Sequence, residues 1–260
     1  MRKFLSDIGS STISFLYFLG GLANLSARTV YWTFLPPFKW QRFLEEAKKA
    51  GVESLPIVTL VSLFIGIILA LQSAYQLQRL GSEMYIASLV ALSLVRELGP
   101  VITALVVAGR VGAAIAAELG SMQVTEQIDA LETLATNPIK YLVVPRFLAL
   151  SLMLPLLTLY ANIIGIVGGY LICVMKLGVS ASMYFTLTFD SLVFKDLFTG
   201  LFKTVVFGMI IAFVCCFEGF NVEGGAEGVG KATTHAVVAS FILIIMADCF
   251  ITALFYFIFP

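Results

Sequence analysis

The sequence predicts an all-α integral membrane protein, because its apolar fraction is high and its charged fraction is low. Of its 260 residues, 60% are hydrophobic and only 12% are charged, and the mean hydropathy is +0.99. Soluble domains contain about 45–50% apolar and about 25% charged residues, so a soluble fold of this size could not bury so much apolar surface. The 16 basic and 16 acidic residues cancel, which excludes a strongly basic nucleic-acid-binding surface.

Residues 1–50 are predicted to form an N-terminal interfacial segment that precedes one membrane domain, residues 51–260. Arg2 and Lys3 stand before an apolar run at 13–25, a pattern that resembles a secretory signal peptide. Asp7 and polar residues after it interrupt that pattern. We therefore expect the segment to be retained as a helix that lies in the membrane interface.

Five segments reach the roughly 20 apolar residues that a membrane-spanning helix needs. They are residues 56–78, 85–117, 144–175, 200–217 and 236–259. The third contains Pro155 and a group of glycines at 165–169, where we expect bends. No internal repeat is visible, and an odd number of spans without a repeat cannot build a pseudo-symmetric pathway, which favours a homodimer.

The distribution of basic residues predicts a cytoplasmic N-terminus. Residues 1–55 carry seven Lys or Arg side chains, whereas the 29 C-terminal residues carry none. Five crossings then place the C-terminus in the periplasm and segments 118–143 and 218–235 in the cytoplasm. No Ser- and Arg-rich transit peptide is visible, which favours a bacterial inner membrane over an organelle.

The second span carries two ionised residues, Arg96 and Glu97, just before Pro100. Proline removes a backbone donor, so we expect a kink beside the charged pair. Ions inside a membrane face a bundle interior or a wet cavity and pair with one another. We expect Arg96 to contact Asp248 of the fifth span, with Lys203 of the fourth nearby; an ion network that only fixes helix register is an alternative interpretation.

Small residues recur at every fourth position of the second span, at Ala104, Ala108, Gly112, Ala116 and Gly120. Such spacing lets two helix backbones approach closely in a membrane. Two interpretations stay open, tight packing inside one subunit or a subunit interface. Arg110, in the same stretch, is expected to reach the cytoplasmic interface or to bind Glu118 or a later helix.

Residues 121–136, between the second and third spans, are predicted to form a short amphipathic helix on the cytoplasmic side. Its apolar residues fall at helical spacing, and Glu126, Asp129 and Glu132 make its polar face acidic. An acidic face suits anionic lipid poorly. A protein partner is therefore favoured over a helix that rests on the membrane surface.

The stretch GAEGVGKA at 225–232 nearly matches the phosphate-binding pattern GxxxxGK[ST]. Ala232 replaces the magnesium-binding hydroxyl and no buried strand precedes the pattern, so the glycines predict a tight loop instead. If the protein uses ATP, another subunit hydrolyses it. His235 is the only histidine and the four cysteines lack zinc-ligand spacing, which excludes a multi-histidine metal site.

Four stretches together resemble the MlaE-type permeases, the membrane subunits of ABC transporters that move phospholipids between Gram-negative membranes. They are FIGIILALQ (64–72), the segment from ALSLVRELGP to LATNP (91–138), VPRFLAL (144–150) and GGAEGVGKATTHAVVAS (224–240). The resemblance covers essentially residues 50–260. It implies a homodimer of five-span subunits that holds lipid in an outward-open cavity at the dimer interface.

The resemblance also assigns residues to this cavity. Leu71, Gln72 and Tyr75 of the first span would line it, together with Glu97 and Leu98 of the motif RELGP.

The resemblance further implies a cytoplasmic ABC ATPase dimer, which binds ATP and Mg²⁺ and docks on the helix at 121–136. The docking residues would be Thr125, Glu126, Asp129 and Glu132. It implies an MCE-domain protein on the periplasmic side, and some members of the family add a STAS-domain protein bound to the ATPase. The chain itself is interpreted as a permease, with no enzymatic activity and no cofactor of its own. Two alternatives stay open: an ion-gradient-driven secondary transporter or channel, and a membrane anchor that only assembles other subunits.

Overall fold

The computed structural model describes residues 2–37, 39–78 and 81–258, and every regular element within these ranges is helical. Five stretches are long and apolar enough to cross a membrane: Trp40–Leu77, Ile86–Val124, Ile139–Met175, Phe194–Phe220 and Gly225–Phe257. The predicted all-α class and the number of spanning helices are confirmed. The chain is a multi-pass membrane protein.

The first spanning stretch follows a long N-terminal helix. Helix α1 is Arg2–Thr33, α2 is the short Trp40–Ala50, and α3 is Leu55–Gln78. A 3₁₀ turn at Val52–Ser54 joins α2 to α3. Helix α2 is strongly amphipathic, and Ala47 and Ala50 on its apolar face are buried.

The second spanning stretch is interrupted twice by a π turn. It consists of α4 (Ile86–Ser93), a π turn (Leu94–Leu98), α5 (Gly99–Val107), a second π turn (Ala108–Gly112) and α6 (Ala113–Val124). A π turn inserts an extra residue into the helix and is frequent at functional sites. The irregularity expected beside Pro100 is therefore the π turn that precedes it, and the helix continues through the proline.

The remaining helices complete the bundle. They are α7 (Gln127–Thr133), α8 (Val144–Met175), α9 (Ala181–Ser191), α10 (Phe194–Phe220) and α11 (Gly225–Ile258). A π turn at Ile139–Val143 leads into α8. Helix α8 is the centre of the bundle, because α2, α3 and α10 all pack extensively against it.

Two predicted boundaries were wrong. The single helix expected at 121–136 is divided: α6 ends at Val124, Glu126 adopts a left-handed conformation with φ 57°, and α7 follows. Helix α11 begins at Gly225 rather than at residue 236, so the segment expected to be a tight loop is helical. Hydropathy marks the lipid-immersed part of a helix, whereas its polar turns continue beyond the membrane.

Glycines allow the backbones of the central helices to touch. A Cβ atom at Gly66 of α3 would overlap the carbonyl of Gly165 of α8, and one at Gly168 would overlap the carbonyl of Leu63. Gly208 of α10 similarly faces the main chain of α8 at Leu150. The α8 glycines, expected to be bends, are sites of close helix packing within one continuous α-helix.

The stripe of small residues on α5 and α6 also packs inside the subunit. Ala104, Ala108 and Ala116 have no exposed surface, and Gly112 faces Cys215 and Ile211 of α10. A stripe covered by its own chain cannot form an interface with another copy. Of the two open interpretations, the burial of the stripe favours packing within the subunit over a subunit interface.

Replacing Gly112 by valine is expected to destabilise the subunit by about 1–3 kcal/mol, because overpacking displaces well-packed neighbours. The first added carbon would lie 2.8 Å from Cys215 Sγ. Gly109 in the same π turn is the matched control, since a Cβ there meets only Phe241 at 3.9 Å. Thermal unfolding in detergent should separate the two variants; equal melting temperatures would contradict the packing role of Gly112.

Candidate functional site

Lys203 lies in α10, is fully buried, and has oxygen atoms around its ammonium group. Nζ donates to Glu97 Oε2 at 2.5 Å, to Thr252 Oγ1 at 2.7 Å and to the main-chain oxygen of Arg96 at 3.2 Å. It also lies 2.9 Å from Asp248 Oδ1. Two carboxylates more than neutralise the charge of this buried cation, and three hydrogen bonds match the three donors of an ammonium group.

The backbone of the second span prepares this site. Pro100 has no N–H group, so the carbonyl of Arg96, four residues earlier, loses its ordinary helical donor. The ammonium group of Lys203 supplies a donor to that carbonyl. Gly99 has no side chain, which lets Asn162 of α8 pack against the π turn. The RELGP segment therefore shapes the local backbone to receive a cation from α10.

Arg96 does not join Asp248, so that predicted pair was wrong. Its side chain is 57% exposed, and its Nε lies 3.4 Å from Asp196 Oδ1 near the start of α10. Asp248 pairs with Lys203 instead. Neighbouring residues on a helix point in different directions, so Glu97 can reach the buried lysine while Arg96 faces outward. The predicted buried network therefore contains Lys203 and Asp248, and only the main chain of Arg96.

A cavity of about 250 Å³ lies over this network. Its lining combines both signs of charge with aromatic rings: Arg96, Glu97, Lys195, Asp196, Thr199, Lys203, Thr252, Phe255 and Tyr256. Charged groups and aromatic rings in one lining suit a ligand with a charged end and an apolar end. The described residues contain no cluster of three His, Cys, Asp or Glu side chains that could hold a metal ion.

Sequence reasoning missed several polar residues of this cavity, among them Asp196, Thr199 and Thr252. A signal for them was present, because Asp196, Thr199 and Lys203 recur at spacings of three and four residues on α10. Thr252 likewise stands four residues after Asp248 on α11. Residues at these spacings share a helix face, so each polar group could have been placed beside the ionised one.

The predicted cavity residues of α3 lie outside this lining within one subunit. Leu71 and Tyr75 are 48% and 66% exposed, and Gln72 is exposed as well. Leu98 is partly buried beside a cluster that includes Ala70 and Ala74 of α3. The structure thus places the α3 residues on an outward surface and Glu97 at the polar cavity, without joining them inside one chain.

Comparison with known proteins identifies the family. The profile of the family described as "Permease MlaE" matches residues 43–254. This chain belongs to the MlaE permease family. The predicted family is confirmed, and the chain is a transporter permease rather than an enzyme.

Relatives of this MlaE-family permease cover most of its length. It is 46% identical over 251 residues to "Probable ABC transporter permease protein" of Rickettsia felis, covering 96% of this chain and 97% of that protein. It is 34% identical over 253 residues to "Intermembrane phospholipid transport system permease protein MlaE" of Haemophilus influenzae, covering 97% of each. It is 40% identical over 217 residues to the chloroplastic protein TRIGALACTOSYLDIACYLGLYCEROL 1 of Arabidopsis thaliana, covering 84% of this chain and 62% of that protein.

At the other end of the MlaE-family bundle, the residues predicted to contact an ATPase form an exposed surface. Thr125, Glu126, Asp129 and Glu132 all face outward at the junction of α6 and α7. The hydroxyl of Thr125 donates to the main chain at Ser121, which completes the end of α6. No described basic side chain pairs with the three acidic residues, so their charge is available to a partner.

The glycine-rich stretch that nearly matches the nucleotide-binding pattern does not form a phosphate-binding loop in this permease. Residues 225–231 form the first turns of α11, and Lys231 Nζ lies 2.7 Å from Glu227 Oε1 one turn earlier. The lysine is therefore engaged in an exposed pair on the same helix.

Arg146 is a buried ion-pair centre that sequence reasoning missed. Its guanidinium lies 3.0 Å from Glu118 Oε1 of α6 and 3.5 Å from Glu46 Oε1 of α2, and the residue is 2% exposed. Arg110 was expected to reach the interface or to bind Glu118 or a later helix, but it bonds to earlier residues, with Nη2 3.2 Å from Glu53 Oε2. An arginine near a helix end ordinarily extends to water, so the sequence carried no sign that Arg146 is enclosed.

Proposed function

We propose that this chain is the permease subunit of an ATP-driven transporter that moves phospholipid between the inner and outer membranes of a bacterium. In this proposal two copies form a homodimer in the inner membrane, and lipid is held in a cavity at their interface. The observation that carries the proposal is the match to the MlaE permease family over residues 43–254. The full-length similarity to the Haemophilus protein named for intermembrane phospholipid transport supports the substrate class.

The side chains at the proposed lipid cavity support this assignment. A phospholipid has an ionic head group and two apolar tails, so it needs a mostly apolar cavity with few polar groups. Glu97 and its partners supply the polar groups, and Leu98 lies beside them. Leu71, Gln72 and Tyr75 supply a largely apolar surface that one subunit leaves exposed. A second copy would enclose that surface and create a complete cavity.

The exposed acidic surface at α6 and α7 supports coupling to an ATPase. We assign Thr125, Glu126, Asp129 and Glu132 to contact with a cytoplasmic ABC ATPase dimer, which would bind ATP and Mg²⁺. The opposite end of the bundle would contact a periplasmic MCE-domain protein. As in some members of the family, a STAS-domain protein would bind the ATPase. ATP binding and hydrolysis in the partner would open and close the dimer cavity.

Reconstitution tests the proposal against its rivals. The permease is reconstituted in liposomes with fluorescent phospholipid, either alone or with its ATPase and MCE-domain partner, and transfer is measured with ATP, with a proton gradient, or with neither. We expect transfer only with ATP. Transfer by the permease alone under a proton gradient would favour a secondary transporter, and absence of lipid transfer in every condition would favour an assembly anchor.

Charge reversal on the proposed docking surface should uncouple the transporter. Glu126→Lys together with Asp129→Lys is expected to reduce ATP-dependent lipid transfer at least about tenfold, because like charges across an interface cost on the order of several kcal/mol. The melting temperature of the permease alone should change little, since both side chains are exposed. Glu45→Lys, an exposed change on α2, is the control. Undiminished transfer in the double variant would remove the docking role.

A further inference from the structure

A second polar cavity, of about 220 Å³, lies at the end of the bundle where α8 begins. It is enclosed by the linker between α1 and α2 and by the loop between α7 and α8. Its lining includes Trp32, Lys39, Thr136, Lys140 and Tyr141. It is separate from the Lys203 network, which lies at the end of the bundle where α10 begins.

Three cations lie on the aromatic rings of this cavity: Lys39 and Lys140 line it, and Arg42 lies on the Tyr141 ring beside it. Lys39 Nζ lies 3.9 Å from the centre of the Tyr141 ring, and the guanidinium carbon of Arg42 lies 3.6 Å from the same centre. Arg42 also donates a hydrogen bond to the Tyr141 hydroxyl. Lys140 Nζ lies 5.3 Å from the centre of the Trp32 ring. The rings attract the cations but leave their net positive charge in place.

No carboxylate balances these three charges within the described part of the chain. None of Lys39, Arg42 and Lys140 has an ion pair within 4.0 Å there. At the same end of the bundle, Arg110 and Arg146 each have a glutamate partner. The Lys39–Arg42–Lys140 cluster is thus prepared for an anion that this chain does not supply.

Surrounding side chains place the cluster at the level of the membrane surface. Tyr31, Phe34 and Trp40 are 61%, 81% and 66% exposed on the segments that border the cavity. Exposed aromatic residues at the ends of membrane-spanning helices lie among the lipid head groups. Lipid phosphates lie at the same depth, so a lipid is a nearer source of the anion than the surrounding solution.

We propose that Lys39, Arg42 and Lys140 bind the phosphate group of an anionic phospholipid from the surrounding membrane leaflet. Basic clusters at the ends of spanning helices bind such head groups, and a guanidinium can donate two hydrogen bonds to one phosphate. Asn137 also lines the cavity; its Oδ1 accepts from the N–H groups of Ile139 and Lys140, which leaves its amide N–H group to donate. A bound lipid would join the N-terminal helices to the loop that follows α7, whether or not lipid is also the transported substrate.

Native mass spectrometry of the full-length protein can count retained phosphatidylglycerol after extraction from nanodiscs of phosphatidylglycerol and phosphatidylcholine. We expect selective retention of phosphatidylglycerol by the wild type. Each lost cation should weaken binding about fivefold, so Lys39→Gln/Arg42→Gln/Lys140→Gln should weaken it about a hundredfold. Arg28→Gln/Lys48→Gln/Lys231→Gln removes the same charge from exposed positions and should retain the lipid.

Each remaining outcome contradicts the proposal. Equal loss in both triple variants would indicate general attraction between the protein and the membrane. Stabilisation of the wild type by millimolar inorganic phosphate, as large as that by phosphatidylglycerol, would indicate a site for free anions. Loss of the retained lipid when the ATPase is assembled would indicate that a protein covers the cavity. If the triple variant does not fold, Lys39→Gln changes only an exposed side chain and should still bind about fivefold more weakly.

Discussion

Lys203→Met is expected to destabilise the permease by about 3 kcal/mol, because it leaves Glu97 and Asp248 without the cation between them. The value is at the lower end of the range for broken buried pairs, since both carboxylates retain partial exposure. The carbonyl of Arg96 would also lose the donor that replaces the missing N–H of Pro100. The melting temperature in detergent and the rate of ATP-dependent lipid transfer should both decrease.

Lys231→Met is the matched control for this change. Lys231 also pairs with a glutamate at short distance, but its side chain is 71% exposed, and such pairs contribute at most about 1 kcal/mol. A further variant, Lys203→Met with Glu97→Gln and Asp248→Asn, removes the uncompensated charges. We expect it to regain stability while transfer stays low, because the polar groups proposed for the lipid are altered. Equal melting temperatures of the Lys203→Met and Lys231→Met variants would contradict the stabilising role of the buried network.

Arg146→Met is expected to have the second-largest effect, about 2–3 kcal/mol, because it leaves two glutamates without their buried partner. Arg146 joins α2 and α6 to α8, so its loss should also loosen α2 from the bundle. Lys49 lies 3.9 Å from Glu46 and 3.8 Å from Glu118 and would retain part of the attraction. Limited proteolysis within α2, together with thermal unfolding, measures both consequences.

Two further variants decide whether the geometry or the charge of Arg146 is responsible for its contribution to stability. Arg146→Lys keeps the charge but loses the planar guanidinium that reaches both glutamates, so it should restore only part of the stability. Arg110→Met removes an arginine whose pair with Glu53 is partly exposed and should cost less than about 1 kcal/mol. Full recovery by lysine, or unchanged proteolysis of α2 in Arg146→Met, would contradict the proposed connection.

The sequence predicted those features of the fold that depend on the local composition of each segment. Apolar length identified five spanning helices, and the cost of an ion in lipid predicted that Lys203 and Asp248 would lie together with the charged pair of the second span. It predicted the wrong member of that pair to turn inward, Arg96 instead of Glu97. That choice depends on the rotation of the helix, and the π turn at Leu94–Leu98 changes the rotation without an evident sequence signal.

Other features depended on contacts between distant segments. The small residues of α5 and α6 indicated a close helix neighbour, but only the fold shows that α10 of the same chain is that neighbour. Arg146 and its two glutamates are separated by about a hundred and by about thirty positions along the chain, respectively. Cavity residues carried over from the family lie on two surfaces that a single subunit does not bring together.

The backbone contacts between α3 and α8 also restrict how the molecule can move. Gly66 and Gly165 are in register, and each residue along a helix advances it by about 1.5 Å. If one helix slid past the other by about one turn, the side chain of Leu63 or Leu69, three positions from Gly66 on the same helix face, would meet a main chain that accommodates only hydrogen. Sliding between α3 and α8 is thereby blocked, so any conformational change of the permease has to move these two helices together as one unit.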